Sequence, residues 1–313
     1  MVGVFRRSLS FPNKTPSRPS QKPAISHHIR SISLPCRSHP LISQIKDEIN
    51  DLTTWVSTSK LHQQTYSNLC HGLTLLKDIH DYLHDILQLP QTQESLRRQP
   101  QWVEKLLEDF LRFVDIYGIF QTSILALKEE HSAAQMATRK RDDPKVVLYV
   151  KAKNKIANQM EKLVCDIRCI SQLHSRHIVS DLSSPTLVSL GDAELAGVIG
   201  DVISVTVSVS IALFNGIAMS LASRKLSWRQ LVKSSRTGKR VKKELQGIEE
   251  FQQGGLEGLS NLNKARDEEV RAALKRMQDL ESCICGIETV SERVFRALIN
   301  SRVALLNTLT LTQ

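Results

Sequence analysis

Apolar side chains return every three or four positions along most of this chain, and where that rhythm stops, prolines, glycines or runs of charge take over. Order is expected to begin at Ser38-His39-Pro40, a polar cap followed by proline in the first helical turn. Leu41, Ile45, Ile49, Leu52 and Val56 then mark one helical face. A second pattern, from about Leu61 to Leu89, runs through Leu69, Leu73, Leu76, Ile79, Leu83 and Ile86 and stops at Pro90, with a short segment starting at Thr92. Pro100 opens a long helix whose broad apolar face holds Val103, Leu106, Leu107, Phe110, Phe113, Val114, Tyr117, Phe120 and Ile124. Arg139 to Asp143 breaks it. Asp143 is expected to cap the next helix at Pro144, with its apolar positions at Val147, Val150, Ile156, Met160, Leu163, Val164, Ile167 and Ile170. Ser180 to Pro185 is the following link.

The most apolar stretch is Leu195 to Ala222, with no charged residue between Asp201 and Arg224. Its valines alternate with serines and threonines in the manner of a strand, but a lone strand among helices has nothing to pair with. As a helix it sets Ser204, Ser208, Ala212, Gly216 and Ser220 at successive i+4 steps, a stripe of small side chains that another helix could approach closely. With almost no polar face, it belongs either inside a helical bundle or inside a bilayer, whose hydrocarbon core of about 30 Å it is just long enough to cross.

The last segment has the clearest heptad. Val270, Ala273, Met277, Leu280, Ile284, Ile287, Ser291, Val294, Leu298, Ser301, Leu305 and Thr308 alternate steps of three and four without a slip. Phe295, Ile299, Leu306 and Leu309 are expected to widen the stripe toward its end. The chain therefore predicts an all-α fold: residues 38–313 form one elongated bundle of long antiparallel helices around the central apolar helix 195–222. Residues 1–37 form a disordered, basic, Ser/Pro-rich arm, because prolines, serines and one sign of charge cannot build a core.

Charge changes the picture once it is located. Of the net +10, eight cations precede Asp47, the first acid, and nine more lie between Arg224 and Lys243 with no acid among them. The remainder is a mildly acidic body carrying two basic appendages. Aromatic residues make up 5%, few for a surface that stacks single-stranded nucleic acid, so nucleic acid is the weakest partner reading. Six cysteines without C-x-x-C pairing point to a reducing intracellular compartment. The N-terminus has no continuous apolar region for secretion, and its prolines oppose the amphipathic helix of a mitochondrial presequence. The cytoplasm is favoured, membrane association comes second, and nucleus and plastid come last.

Within the arm, Arg7-Ser8-Leu9-Ser10-Phe11-Pro12 and Arg30-Ser31-Ile32-Ser33-Leu34-Pro35 repeat one pattern, R-S-x-S-x-P. Arginine three residues before a serine suits basophilic kinases. Phosphorylated at Ser10 and Ser33, with Arg7, Pro12, Arg30 and Pro35 flanking, the two copies look like ligands for a dimeric phosphoserine-reading adaptor, which both can engage at once. The competing reading is a solvated Ser/Arg-rich tail. The run from Arg224 to Lys243 follows the apolar helix directly, with Trp228 as an interfacial anchor. Arg236, Lys239, Arg240, Lys242 and Lys243 there suit an anionic membrane surface or nuclear import, against the plainer alternative of an exposed, solvated helix and loop.

Enzymatic spellings are weak. His80 and His84 stand at i and i+4, as in zinc-binding helices, but Asp81 replaces the usual glutamate and no third ligand is evident. Cys165 and Cys169 share a helical face and read first as core thiols. Ser57-Thr58-Ser59-Lys60 fits S-x-x-K without its partners, and Gly238-Lys239 lacks the glycine spacing of a phosphate loop. No cofactor is expected, and nothing here supports an enzyme.

HHIRSISLPCRSHPLISQIKDEINDLTTW near the start and CGIETVSERVFRALINSRVALLNTLTLTQ at the end resemble a plant-specific helical family of unknown biochemical function, related in layout to the BYPASS proteins. The likeness runs from about residue 27 to the C-terminus and is most specific in VFRALINSRVALLN. It implies an all-helical intracellular plant protein with relatives tied to root and shoot development and root-to-shoot signalling, and it brings no catalytic or metal residues. The first expectation is thus a non-catalytic regulatory or scaffold protein, and the second a membrane-associated one using the apolar helix and the basic run.

Overall fold

Prolines open three of the helices, where a missing N–H costs no hydrogen bond. The computed structural model describes residues 39–59, 64–181, 190–222, 247–253 and 265–310. Eight helices run through them, with no strand among the described residues: α1 (Pro40–Ser59), α2 (Tyr66–Gln88), α3 (Pro90–Arg97), α4 (Pro100–Arg139), α5 (Asp143–Asp181), α6 (Leu190–Leu221), α7 (Glu249–Gln253) and α8 (Asp267–Thr310). The fold is all-α, as the periodicity predicts. The N-terminal arm and the basic run lie outside the described residues.

Three boundaries differ from expectation. α2 starts at Tyr66 rather than near Leu61, because Thr65 caps it: the Asn68 N–H donates to Thr65 Oγ1 at 3.2 Å. The Tyr66 N–H at the same end donates to the Glu250 carboxylate of α7 at 2.8 Å. α3 starts at Pro90 itself rather than Thr92. The cap of α5 is Asp142, not Asp143: Arg141 adopts φ 55, which ends α4, and Asp142 Oδ1 then accepts the Lys145 N–H at 3.3 Å. A bulky residue in that left-handed region is strained, and here it is tied down by guanidinium bonds to the Ala265 carbonyl at 3.0 Å and to Asp267 at 2.5 Å.

α4 runs antiparallel to both α5 and α8. His131 meets Tyr149 and Ala137 clusters with Val146 on one side. Gln121 to Ser291 at 2.9 Å, Lys128 to Glu288 at 2.7 Å and Arg141 to Asp267 give the opposite register on the other. All twelve heptad positions of α8 are buried. The stripe widens, however, through Cys283, Ala297 and Ala304, not through Ile299 and Leu306, which are exposed. Small side chains on that flank let α8 lie close to α2, so the bulkier ones are left on the outer face. The start of α5 is also rotated from the expected register: Val146 and Tyr149 are buried, while Val147 and Val150 are exposed.

The end of α1 is fitted closely onto the start of α2 at Trp55. The Trp55 indole lies flat over Gly72, and its Nε1–H donates to the Asn68 side-chain oxygen at 2.8 Å. A Cβ added at Gly72 would sit 2.6 Å from Trp55 Cε2 and Cη2. Gly72→Ala is therefore expected to destabilise the protein by about 2 kcal/mol, since overpacking of ~3 kcal/mol outweighs a helix-propensity gain of ~1 kcal/mol. Urea unfolding followed by circular dichroism measures it. In a Trp55→Leu background the same substitution should become neutral or mildly stabilising; equal loss in both backgrounds would show that the ring is not the obstacle.

Candidate functional site

α6, the most apolar helix, carries one of two sets of buried polar contacts in the bundle. Val202, Ile203, Val205, Val207, Val209, Leu213, Phe214 and Ile217 are all buried, and the helix packs on α5, α1, α2 and α7. α4 and α6 are both long and apolar enough to cross a membrane by length and composition alone, but α6 has most of that stretch covered by protein. The small-residue stripe is only half as expected. Ser204 is exposed, Ser208 and Ala212 are half-buried, and only Gly216 and Ser220 are covered. What approaches them is not a helix but two chain segments: a Cβ on Gly216 would meet Gln64 Oε1 at 3.0 Å and Ile248 Cγ1 at 3.3 Å. Ser220 Oγ donates to the Gly216 carbonyl at 2.6 Å and accepts the Ile248 N–H at 2.7 Å, fastening residues 247–253 to the end of α6.

Two polar pairs join α6 to its neighbours inside the apolar core. Thr206 Oγ1 donates to the Val202 carbonyl at 2.7 Å, so its contact with His80 Nε2 at 3.0 Å is an acceptance, and His80 is the Nε2–H tautomer. His80 Nδ1 is buried and without a partner. Phe110 meets the same imidazole edge-on. One turn along, Ser210 Oγ donates to the Thr206 carbonyl at 2.7 Å and accepts the Tyr117 hydroxyl at 3.0 Å. Burial pushes His80 down to about 3 and Tyr117 up to about 12. Both are neutral at physiological pH, so neither is poised to exchange a proton.

A second knot lies at the α4–α5 end. His131 Nε2–H donates to the Met277 carbonyl at 2.8 Å, and its Nδ1 accepts the Tyr149 hydroxyl at 2.7 Å, tying α4, α5 and α8 together. Burial lowers the imidazole and raises the phenol. Lys153 stands 5.8 Å over the Tyr149 ring, a cation–π contact.

The sequence candidates fare unevenly. His84, a possible partner of His80, turns away to the Asn300 carbonyl at 3.2 Å and to Gln88. Among the described residues no group of three or more His, Cys, Asp or Glu is placed to hold a metal. Ser57 donates back to the Thr53 carbonyl at 2.9 Å, an ordinary helical hydroxyl. Cys165 and Cys169 are exposed, not core thiols as expected, because the apolar face predicted for this part of α5, Leu163, Val164, Ile167 and Ile170, is the one turned inward and the two thiols lie off it. Burial raises Cys70, and pushes Cys283 up to about 11, so both remain thiols. Ser10, Ser33, Arg7, Pro12, Arg30 and Pro35, and Arg236, Lys239, Arg240, Lys242 and Lys243, all lie outside the described residues. The buried His80–Thr206 and Tyr117–Ser210 pairs went unread in the sequence. The signal was there in two hydroxyls four residues apart on the most apolar helix.

The family model for Protein BPS1 matches residues 72–308, and the chain belongs to that family. The relationship to the BYPASS proteins is thereby borne out, with the C-terminal VFRALINSRVALLN stretch inside the match and the quoted N-terminal stretch before it. No curated protein and no solved structure matches the chain.

Proposed function

We propose that this member of the BPS1 family is a non-catalytic regulatory or scaffold protein of plant cells, acting in root and shoot development and controlled through its N-terminal arm. Family membership over residues 72–308 carries the reading. The bundle supports it, since the buried titratable groups His80, His131, Tyr117 and Tyr149 are each bound into contacts between helices. A rigid body of long helices offers surface, and the arm offers a switch: Ser10 and Ser33 are the phosphosites, with Arg7 and Pro12, and Arg30 and Pro35, as the flanking recognition residues. A dimeric phosphoserine-reading adaptor in the cytoplasm is the proposed partner. Two sites on one tether favour such a dimer, because the second engagement is intramolecular.

Full-length protein phosphorylated by a basophilic kinase is expected to be retained on the immobilised adaptor, and phosphatase treatment to release it. Ser10→Ala or Ser33→Ala alone should weaken retention about a hundredfold, and the double variant should abolish it. Equal retention of the dephosphorylated protein would remove the adaptor, and mass spectrometry that finds both serines unmodified in plant cells would remove the switch.

A further inference from the structure

Leu148 and Val147 are the two most exposed large hydrophobic residues among those described, at 58% and 53%, and Val150 beside them stands at 40%. Val147 and Leu148 lie in the first two turns of α5 on the face opposite Val146, Tyr149 and Ile156, which are buried, and Val150, four residues after Val146, stands at the flank between the two faces. Met136, on the adjoining end of α4, is also half-exposed. Lys151 follows Val147 by four residues and Lys155 follows Leu148 by seven, so two exposed ammonium groups share the helical face of the two aliphatic ones. From Arg139 to Lys155 the chain carries seven cations against two carboxylates, and the Asp142 carboxylate is held by Lys145 at 3.1 Å. The acidic first turn of α8, Asp267 to Glu269, lies at the same end, with Asp267 taken by Arg141.

We propose that this end of the α4–α5 hairpin is a docking tip for an anionic lipid bilayer. Val147, Leu148 and Val150 enter the boundary between headgroups and acyl chains, while Lys151 and Lys155, with Arg139 and Lys140 on the α4 side, reach the phosphate level. Charge complementarity commits the tip to this occupant: aliphatic side chains interleaved with lysines on one face match a surface that is apolar below and negative above. An apolar protein groove would leave Lys151 and Lys155 desolvated beside the aliphatic contact. The tip is distinct from the α6 and basic-run mode of membrane association and leaves α6 inside the bundle. It goes beyond the scaffold reading, by giving the body a place to sit, and does not depend on the arm.

Co-sedimentation of the full-length protein with phosphatidylcholine vesicles, with and without phosphatidylserine, tests it. The wild type is expected to pellet with the phosphatidylserine vesicles alone, and to be released by salt. Val147→Ser/Leu148→Ser and, separately, Lys151→Gln/Lys155→Gln should each weaken binding about tenfold or more. A variant with Lys239, Arg240, Lys242 and Lys243 changed to Gln should retain tip-dependent binding. A Leu148→Trp variant supplies a readout independent of any loss of folding, since its added fluorescence should be quenched by brominated phosphatidylserine. Wild-type affinity in the tip variants, unquenched Leu148→Trp, or absence of wild-type binding to the anionic vesicles would each overturn the tip. None of these outcomes bears on phosphoserine-dependent capture of the arm.

Discussion

Val209→Lys is expected to abolish the folded state, whereas the double substitution Ser204→Lys/Ser208→Lys on the same helix is expected to change stability by less than about 1 kcal/mol. Val209 is fully buried in the hydrophobic core. An unpaired ion in such a place costs several kcal/mol even after relaxation, against a total stability of about 5–15 kcal/mol for a domain. Ser204 is exposed and Ser208 half-buried at the rim of α6, so lysines there keep their ammonium groups in water and lay their stems along the helix. Thermal and urea unfolding by circular dichroism reads both. The contrast separates the two environments proposed for α6, because in a bilayer the serine edge would face lipid and two lysines there would be as disruptive as one at Val209. If the double variant fails as badly as Val209→Lys, the protein-buried α6 is wrong.

How far the chain could be read from its residues depended on whether each element had a single apolar face. α8 did, and its twelve-position heptad is buried throughout, because the alternation of three and four permits one orientation only. α2 did as well, with Leu69, Leu73, Leu76, Ile79, Leu83 and Ile86 all at 0% exposure. The start of α5 did not. Val146 to Val150 is a continuous apolar run, so no period chooses among its faces, and the packing of Ala137 and Val270 against Val146 decides it. That ambiguity hid the exposed aliphatic tip.

α6 was legible as buried but not in its rotation. An all-apolar circumference carries no direction, and the small-residue stripe suggested close packing where the fold instead places its first half outward. The reason is volume: Val202, Val209, Leu213 and Phe214 fill the space between α2, α4 and α5, and serines can meet water at little cost. The hydroxyls of Thr206 and Ser210, which point inward, meet His80 and Tyr117 there. A polar pair on an apolar helix predicts that partners exist. It does not say which helices bring them, and no pattern within one helix can.

The His80 pair makes the fold sensitive to acid, and this is the second large effect. The imidazole titrates near 6.5 in the unfolded chain, while burial holds it down to about 3 in the folded one. Between those values the unfolded state binds the extra proton, so stability rises with pH across that window and is lost as pH falls through it. The contribution is fully present above about pH 6.5. By pH 3 the loss is on the order of 5 kcal/mol, comparable with the whole stability of a domain. His131, also lowered by burial, acts in the same direction. His80→Leu removes the titration and the unpartnered Nδ1 together, and leaves Thr206 donating to the Val202 carbonyl. At pH 7 the variant is expected within about 1 kcal/mol of the wild type, one neutral hydrogen bond being exchanged for apolar packing. Its acid midpoint should lie lower, and its stability between pH 6.5 and 4 should fall less steeply. Melting curves by circular dichroism across that range measure both proteins. Parallel loss in the two would mean that the proton enters elsewhere and that His80 is not held neutral by α6.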